Sequence, residues 1–187
     1  MHPQAKLAIQ RAGELPSGLN PTELREHYDR VRIPLQPPRP DIRCARPIQI
    51  DTRAGKLSAR LYSTNAPGEI ASSLLIYFHG GGWVIGDLET HHQLTGYLCE
   101  KLEAKVFSVD YRLSPEEKYP IPLDDCDTAF EWILNNSDLL DIDKTKVAAG
   151  GDSAGGNLTA ALCLRRKKEN KVLPKAQLLL YPVTDLH

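Results

Sequence analysis

Apolar residues form short continuous runs through the second half of the chain, with longer amphipathic segments between them. The runs have the near-continuous apolar character of strands that are covered on both faces, and they lie at 73–80, 105–111, 146–152 and 176–182. The segments between them are long enough for helices and lie near 89–103, 122–136 and 154–169. This alternation predicts an α/β fold, with a mainly parallel sheet and crossover helices.

The segment before the first apolar run follows a different rhythm. Polar and apolar residues alternate along PIQIDTRAGKLSARLYS, residues 47–63, on both sides of a turn at 53–56. Period-two alternation around a turn that contains glycine predicts a β-hairpin.

Residues 1–45 differ again, because they are rich in proline and arginine. A helix is expected to begin after Asn20, which can cap it, with Pro21 at the first helical position and Glu23 completing a capping box. A proline cluster that begins at Pro34 is expected to end this helix. We therefore expect an arm or cap of residues 1–45 to lie over an incomplete main domain of residues 46–187.

Composition narrows the possible classes of protein. The 187 residues carry 23 Lys and Arg against 24 Asp and Glu, so the near-neutral chain lacks the basic face that a nucleic-acid partner requires. Its four cysteines form no C-x-x-C pair, and we expect buried thiols in a reducing, cytoplasmic compartment. No segment resembles a signal peptide or a membrane span, and no metal or cofactor is expected.

A G-x-S-x-G segment joins the run at 146–152 to the following helix. It reads Gly151-Asp152-Ser153-Ala154-Gly155. A sharp strand-to-helix turn of small residues exposes the serine hydroxyl, and the helix N-terminus behind it offers free N–H groups to an oxyanion. The segment predicts that Ser153 is a nucleophile.

A second glycine-rich corner, His79-Gly80-Gly81-Gly82, ends the run at 73–80 and precedes Trp83. Consecutive glycines leave the backbone amides bare, so that a substrate carbonyl can approach them. An HGGG loop is the usual partner of the N–H group that follows a nucleophilic serine.

Three motifs in this order, HGGGW at 79–83, YRLSPE at 111–116 and GDSAGGN at 151–157, resemble the hormone-sensitive-lipase-like branch of α/β-hydrolases, which includes many bacterial carboxylesterases. The resemblance covers about residues 45–187. It implies an α/β-hydrolase fold in which Ser153 is the nucleophile and residues 1–45 form a cap over the acyl pocket. It also implies oxyanion-hole amides from Gly80, Gly81 and Ala154. His79 is then a structural residue that orders the glycine loop, and the remaining supporting positions are Gly82, Gly151, Asp152 and Gly155.

The catalytic acid and base are not evident. In this fold they follow the serine along the chain, on separate later loops. Asp185 and His187 have that order, but they lie two residues apart just after the next strand, so we reject them. We expect the remaining histidines, His2, His27, His91 and His92, to be solvated or packed, with the last two in a surface helix.

The sequence therefore looks C-terminally truncated, with the last strands of the fold and the acid and base beyond residue 187. From this we expect the chain alone to be nearly inactive. We also expect the strand at 176–181 to become an apolar edge that favours self-association.

The leading interpretation is a serine esterase that acts on short to medium acyl esters through an acyl-enzyme. Other interpretations remain. One is a non-catalytic relative that binds a small molecule in the same pocket, although the intact serine turn favours the enzyme. Neither glycine corner has a nucleotide-binding spacing. Asp124, Asp125 and Asp127 could suggest a metal site, but carboxylates at a helix N-terminus explain them better.

Overall fold

The structure, a computed structural model, describes residues 1–13, 16–36, 44–64 and 72–185. Within these ranges it describes all side chains except those of Gln4 and Cys44.

Five helices and six strands make up the described chain. The helices are α1 (Pro3–Ala12), α2 (Pro21–Leu35), α3 (His92–Leu102), α4 (Ile121–Asn135) and α5 (Ala154–Lys168). The strands are β1 (Cys44–Thr52), β2 (Gly55–Ser63), β3 (Ser72–Phe78), β4 (Lys105–Asp110), β5 (Ile142–Asp152) and β6 (Gln177–Leu180).

The strands form one sheet in the order β1-β2-β4-β3-β5-β6. Strand β3 pairs in parallel with β4 and β5, and β5 pairs in parallel with β6. The β1–β2 hairpin adds to β4 in antiparallel fashion at the other end. The predicted α/β fold, its mainly parallel sheet and its hairpin are therefore confirmed.

Helices cover both faces of the sheet, as parallel strands require. On one face α4 and α5 pack over strand residues such as Ile76 and Phe107. On the other face α3 packs through Cys99 against Tyr77 and Val106. Helix α3 is exposed on its outer side at Tyr97 and Leu102, as expected for a surface helix, and His91 is buried just before its first residue.

Both predicted ends of α2 are confirmed. Asn20 and Glu23 form the expected capping box, with Glu23 N–H donating to Asn20 Oδ1 at 3.0 Å. Helix α2 ends at Leu35, within the proline cluster that begins at Pro34. Proline removes one N–H donor, and in the last turn few helical bonds remain to be lost. The other clustered prolines, at 37, 38 and 40, lie outside the described residues.

Arg25 fastens α2 to the main domain. Its guanidinium donates to Val84 O at 2.8 Å and to Ser114 O at 2.9 Å, and it pairs with Glu116 at 2.6 Å. Val84 belongs to the loop that follows β3, so α2 contacts the loop that also contains the glycine corner at 79–82.

The three carboxylates at the start of α4 are paired with arginines. Asp124 contacts Arg165 at 2.6 Å, Asp125 contacts Arg112 at 2.7 Å and Asp127 contacts Arg166 at 2.6 Å. No group of His, Cys, Asp and Glu in the described residues has the arrangement of a metal site. No helix in the same ranges is both long and apolar enough to cross a bilayer.

Candidate active site

Ser153 occupies a strained turn between β5 and α5. Its φ of 51° and ψ of −115° are rare for a residue with a side chain. A Cβ on Gly155 would lie 1.9 Å from Phe78 O, and a Cβ on Gly151 would lie 2.3 Å from the same atom. Both outer glycines of the motif are therefore needed, because the turn packs against the backbone of β3.

Several backbone N–H groups near this turn lack an acceptor among the described residues. Those of Gly81, Gly82 and Ala154 donate to no group within the described part of the chain. Ala154 is the first residue of α5, where helical N–H groups are free by geometry. Gly81 has a φ of 128°, and a Cβ there would lie 2.0 Å from Ile85 O, so the loop requires glycine at this position.

The structure does not support Gly80 as an oxyanion donor. Its single N–H donates to Asp152 Oδ1 at 2.9 Å, so it is not available to a substrate. A Cβ on Gly80 would lie 2.3 Å from Asp152 Oδ2. Position 80 therefore requires glycine, because this carboxylate approaches the backbone so closely. The bond instead ties the glycine loop to the residue before Ser153.

Asp152 is the centre of a buried polar network. Its Oδ1 also accepts the Tyr77 hydroxyl at 2.7 Å and lies 3.5 Å from His91 Nε2. Burial acts to raise the pKa of Asp152, but the hydrogen bonds from His91, Tyr77 and Gly80 outweigh it, and the net pKa is lowered. Asp152 is therefore an ionised acceptor that joins β3, β5 and the glycine loop.

His79 is fully buried beside this network. Its Nδ1 lies 2.8 Å from Gly80 O, its ring stacks on Tyr111 at 4.3 Å, and the Tyr111 hydroxyl donates to His79 O at 2.7 Å. Burial and the nearby His91 lower the pKa of His79 to about 4. A neutral, enclosed imidazole fits a structural role in the glycine loop and not that of a general base.

The other histidines do not reach the nucleophile either. Ser153 Oγ makes no hydrogen bond within the described residues. His91 is buried against Asp152, and His92 Nδ1 lies 2.9 Å from the Tyr62 hydroxyl. His27 lines a pocket under the arm, His2 precedes α1, and His187 lies outside the described residues.

Two pockets flank the serine turn. The first, here called the glycine-side pocket, has a volume of about 410 Å³ and is mostly apolar. Its lining includes Gly82, Trp83, Leu123, Asn157, Leu158 and Ala161. The second, here called the arm pocket, has a volume of about 460 Å³ and lies between the arm and the turn. Its lining includes Ile9, His27, Tyr28, Arg32, Asp152 and Tyr181.

Sequence reasoning missed Tyr77 and His91 as partners of Asp152. Tyr77 lies within an apolar run, where a tyrosine is usually read as core. A buried hydroxyl on a strand needs an acceptor. Asp152, at the end of a neighbouring strand, could have been considered as that acceptor. His91 had no comparable signal.

The chain was compared with known proteins. Residues 75–187 match the family described as alpha/beta hydrolase fold. The carboxylic ester hydrolase LipN of Mycobacterium tuberculosis is 43% identical over 143 residues, which cover 74% of this chain and 38% of that protein. The arylesterase of Saccharolobus solfataricus is 39% identical over 145 residues, covering 75% of this chain and 45% of that protein.

Solved structures show the same similarity. An ester hydrolase, EH1AB1, from the metagenome of Lake Arreo has a TM-score of 0.91 at 31% identity, over 99% of this chain and 61% of that one. It was solved with a derivative of bipyridine phosphonate. The thermostable carboxylesterase EstE1, from a metagenomic library, has a TM-score of 0.86 at 33% identity, over 92% of this chain and 58% of that one. The chain thus spans less than half the length of the two curated relatives.

Proposed function

Since the chain belongs to the alpha/beta hydrolase fold family, in its hormone-sensitive-lipase-like carboxylesterase branch, we propose that it provides the nucleophile and oxyanion hole of a carboxylic ester hydrolase. The supporting observation is Ser153, in a strained turn beside the unpaired N–H groups of Gly81 and Ala154. The relatives' names point to esters as substrates.

The proposed reaction has two steps. Ser153 Oγ attacks the ester carbonyl and loses its proton, while the N–H groups of Gly81 and Ala154 donate to the oxyanion. The alcohol leaves with a proton, and water then hydrolyses the acyl-enzyme. Gly82 N–H is a third candidate donor, since it is also unpaired and Gly82 lines the glycine-side pocket. The reaction as written needs no metal or other cofactor.

The proton acceptor is proposed to come from residues other than the described ones, because no described histidine bonds Ser153 Oγ. The 187-residue chain alone should then retain at most the roughly 10³ to 10⁴-fold acceleration over water that an oxyanion hole and binding give without a triad. Hydrolysis of p-nitrophenyl acetate by this chain at rates normal for an esterase would contradict the proposal.

Short to medium acyl chains are the proposed substrates. The glycine-side pocket, at about 410 Å³, lies near the lower end of the range for small-molecule sites, roughly 300–1,000 Å³. We expect kcat/KM to fall for long acyl chains across a p-nitrophenyl ester series. A maximum at long chains would contradict this assignment.

A fluorophosphonate probe tests the nucleophile. We expect covalent modification at Ser153 in the protein expressed from its complete reading frame, and none in the Ser153→Ala variant. The alternative, a non-catalytic relative that binds a small molecule, predicts ligand binding without modification at Ser153.

Self-association through β6 is proposed as well. Strand β6 stands at the end of the sheet order, and Leu179 and Tyr181 are exposed there. An apolar strand with one paired side favours edge-to-edge contact. Light scattering should show oligomers of the 187-residue chain that a Leu179→Lys substitution reduces. A monodisperse monomer would count against the proposal.

A further inference from the structure

Arg32, on α2, is a cation without an internal partner. Its guanidinium makes no hydrogen bond or ion pair with the described residues, and its Nε is buried. A buried donor left without an acceptor is energetically unfavourable. Arg25, on the same helix, shows the contrast. Its guanidinium donates to Val84 O and Ser114 O and pairs with Glu116, and these bonds fasten the arm.

Arg32 lines two cavities at once. One is the arm pocket, which reaches Asp152 beside the serine turn. The other, here called the side pocket, has a volume of about 230 Å³ and is lined by Arg32, Gln36, Gln93, Leu94 and Tyr97. In the side pocket Gln93 Oε1 is likewise buried without a partner. Two unpaired polar side chains therefore line the same small cavity.

Arg32 and Asp152 both line the arm pocket, and of these two charged side chains only Arg32 lacks a hydrogen-bond partner among the described residues. The Asp152 carboxylate already accepts the Tyr77 hydroxyl and the Gly80 N–H and lies beside His91. Most of the remaining lining is apolar, including Ala8, Ile9, Val31 and Leu35. A mostly apolar cavity that also contains an unpaired guanidinium suits a ligand with a hydrocarbon body and an anionic end.

We propose that Arg32 and Gln93 form a subsite for a carboxylate, so that this site accepts esters that carry a free carboxylate at the end remote from the scissile bond. The inference deepens the proposed ester hydrolysis and rests on it. A guanidinium binds a carboxylate through two parallel hydrogen bonds, and the Gln93 amide can turn its NH₂ group toward the same ligand.

The reaction is ordinary hydrolysis of a half-ester. Water supplies OH to the acyl carbon and H to the leaving alcohol oxygen, while the carboxylate held by Arg32 is unchanged. The product is an alcohol and a dicarboxylate.

Direct binding tests the subsite without requiring turnover. Monoethyl glutarate and its neutral analogue ethyl valerate are titrated into the Ser153→Ala protein, with calorimetry or NMR shifts as readout. The comparison uses Arg32→Gln, Arg32→Lys and, as the matched control, Arg30→Gln. Arg30 is exposed on the same helix, so its replacement makes the same change in net charge.

We expect the parent protein to bind the half-ester at least about tenfold more tightly than ethyl valerate, which is the size of a charge-assisted hydrogen bond. Arg32→Gln should abolish this preference, Arg32→Lys should keep part of it, and Arg30→Gln should keep it. The preference should also shrink at high salt.

Equal affinities for the two ligands in the parent protein, or equal losses in the two Gln variants, would overturn the subsite. Neither outcome depends on Ser153. Failure of Ser153 to react with a fluorophosphonate would instead overturn the proposed hydrolysis, so the two failures are distinguishable.

Discussion

Replacement of Asp152 tests the polar network that joins the serine turn to the glycine loop. Asp152 Oδ1 accepts the Tyr77 hydroxyl at 2.7 Å and the Gly80 N–H at 2.9 Å. Both donors are buried, and Asp152 as a residue is only 7% exposed, so water cannot readily take the place of its carboxylate.

The expected losses follow from these two bonds. Asp152→Asn keeps an acceptor of the same shape but removes the charge, and weakening two charge-assisted bonds to neutral ones should cost about 2 kcal/mol of unfolding free energy. Asp152→Ala leaves two buried donors unsatisfied and should cost roughly 2–6 kcal/mol.

The effect of Asp152→Asn should depend on pH. The net pKa of Asp152 in the folded protein lies below its ordinary value, so the ionised form stabilises the fold. That contribution is complete above the ordinary pKa of aspartate and is lost as the pH falls through the lowered pKa. The difference in unfolding free energy between the parent protein and Asp152→Asn should therefore be largest near neutral pH. It should disappear in strong acid.

Urea unfolding followed by circular dichroism measures these differences. Asp138→Asn is the control, because Asp138 is exposed and its replacement should change stability by no more than about 0.5 kcal/mol. Losses for Asp152→Asn and Asp152→Ala as small as that of the control would refute the network as a source of stability.

Four further substitutions test other parts of the protein by the same unfolding assay. Gly155→Ala should lower the unfolding free energy by about 3 kcal/mol or more, because its Cβ would lie 1.9 Å from Phe78 O. The Cβ of Gly82→Ala would contact nothing, so this substitution should lower it by only about 1 kcal/mol, because of the φ of 59°. Equal costs for the two would contradict the close packing at the turn. Ser153→Gly should stabilise the fold by about 1 kcal/mol through relief of backbone strain, and a loss of stability would count against that strain. Asp110→Asn should stabilise the protein near neutral pH by about 2 kcal/mol, because burial, followed by Asp87, raises the pKa of Asp110 to about 6. That gain should shrink as the pH falls through about 6 and vanish below 3.8, where the parent carboxyl is protonated in both states. A gain independent of pH would contradict this explanation.

The elements of the fold could be predicted from the sequence because each buried strand is a continuous apolar run. Strand β3, for example, reads SSLLIYF and is covered on both faces. The meeting of the two glycine corners could also be inferred, since parallel strands place their carboxyl ends at the same edge of the sheet. Helix α1 was not predicted, because it is only ten residues long and His2, which precedes it, is not a typical N-cap residue.

The use of each amide could not be predicted. Gly80 and Gly81 are equivalent letters in a run of glycines, yet the N–H of Gly80 is bound by a carboxylate that lies 72 positions away in the chain. Arg25 and Arg32 are likewise similar in the sequence, although one is fully bonded and the other is unpaired. Such differences depend on which side chains the tertiary structure brings together.

The central claim is that Ser153 is the nucleophile of an ester hydrolase. The most direct test is mass spectrometry of tryptic peptides after fluorophosphonate treatment of the protein expressed from its complete reading frame. We expect a single phosphonylated site, at Ser153, with parallel loss of p-nitrophenyl butyrate hydrolysis. Retained hydrolysis in the Ser153→Ala variant, or modification at another serine with Ser153 unmodified, would contradict it.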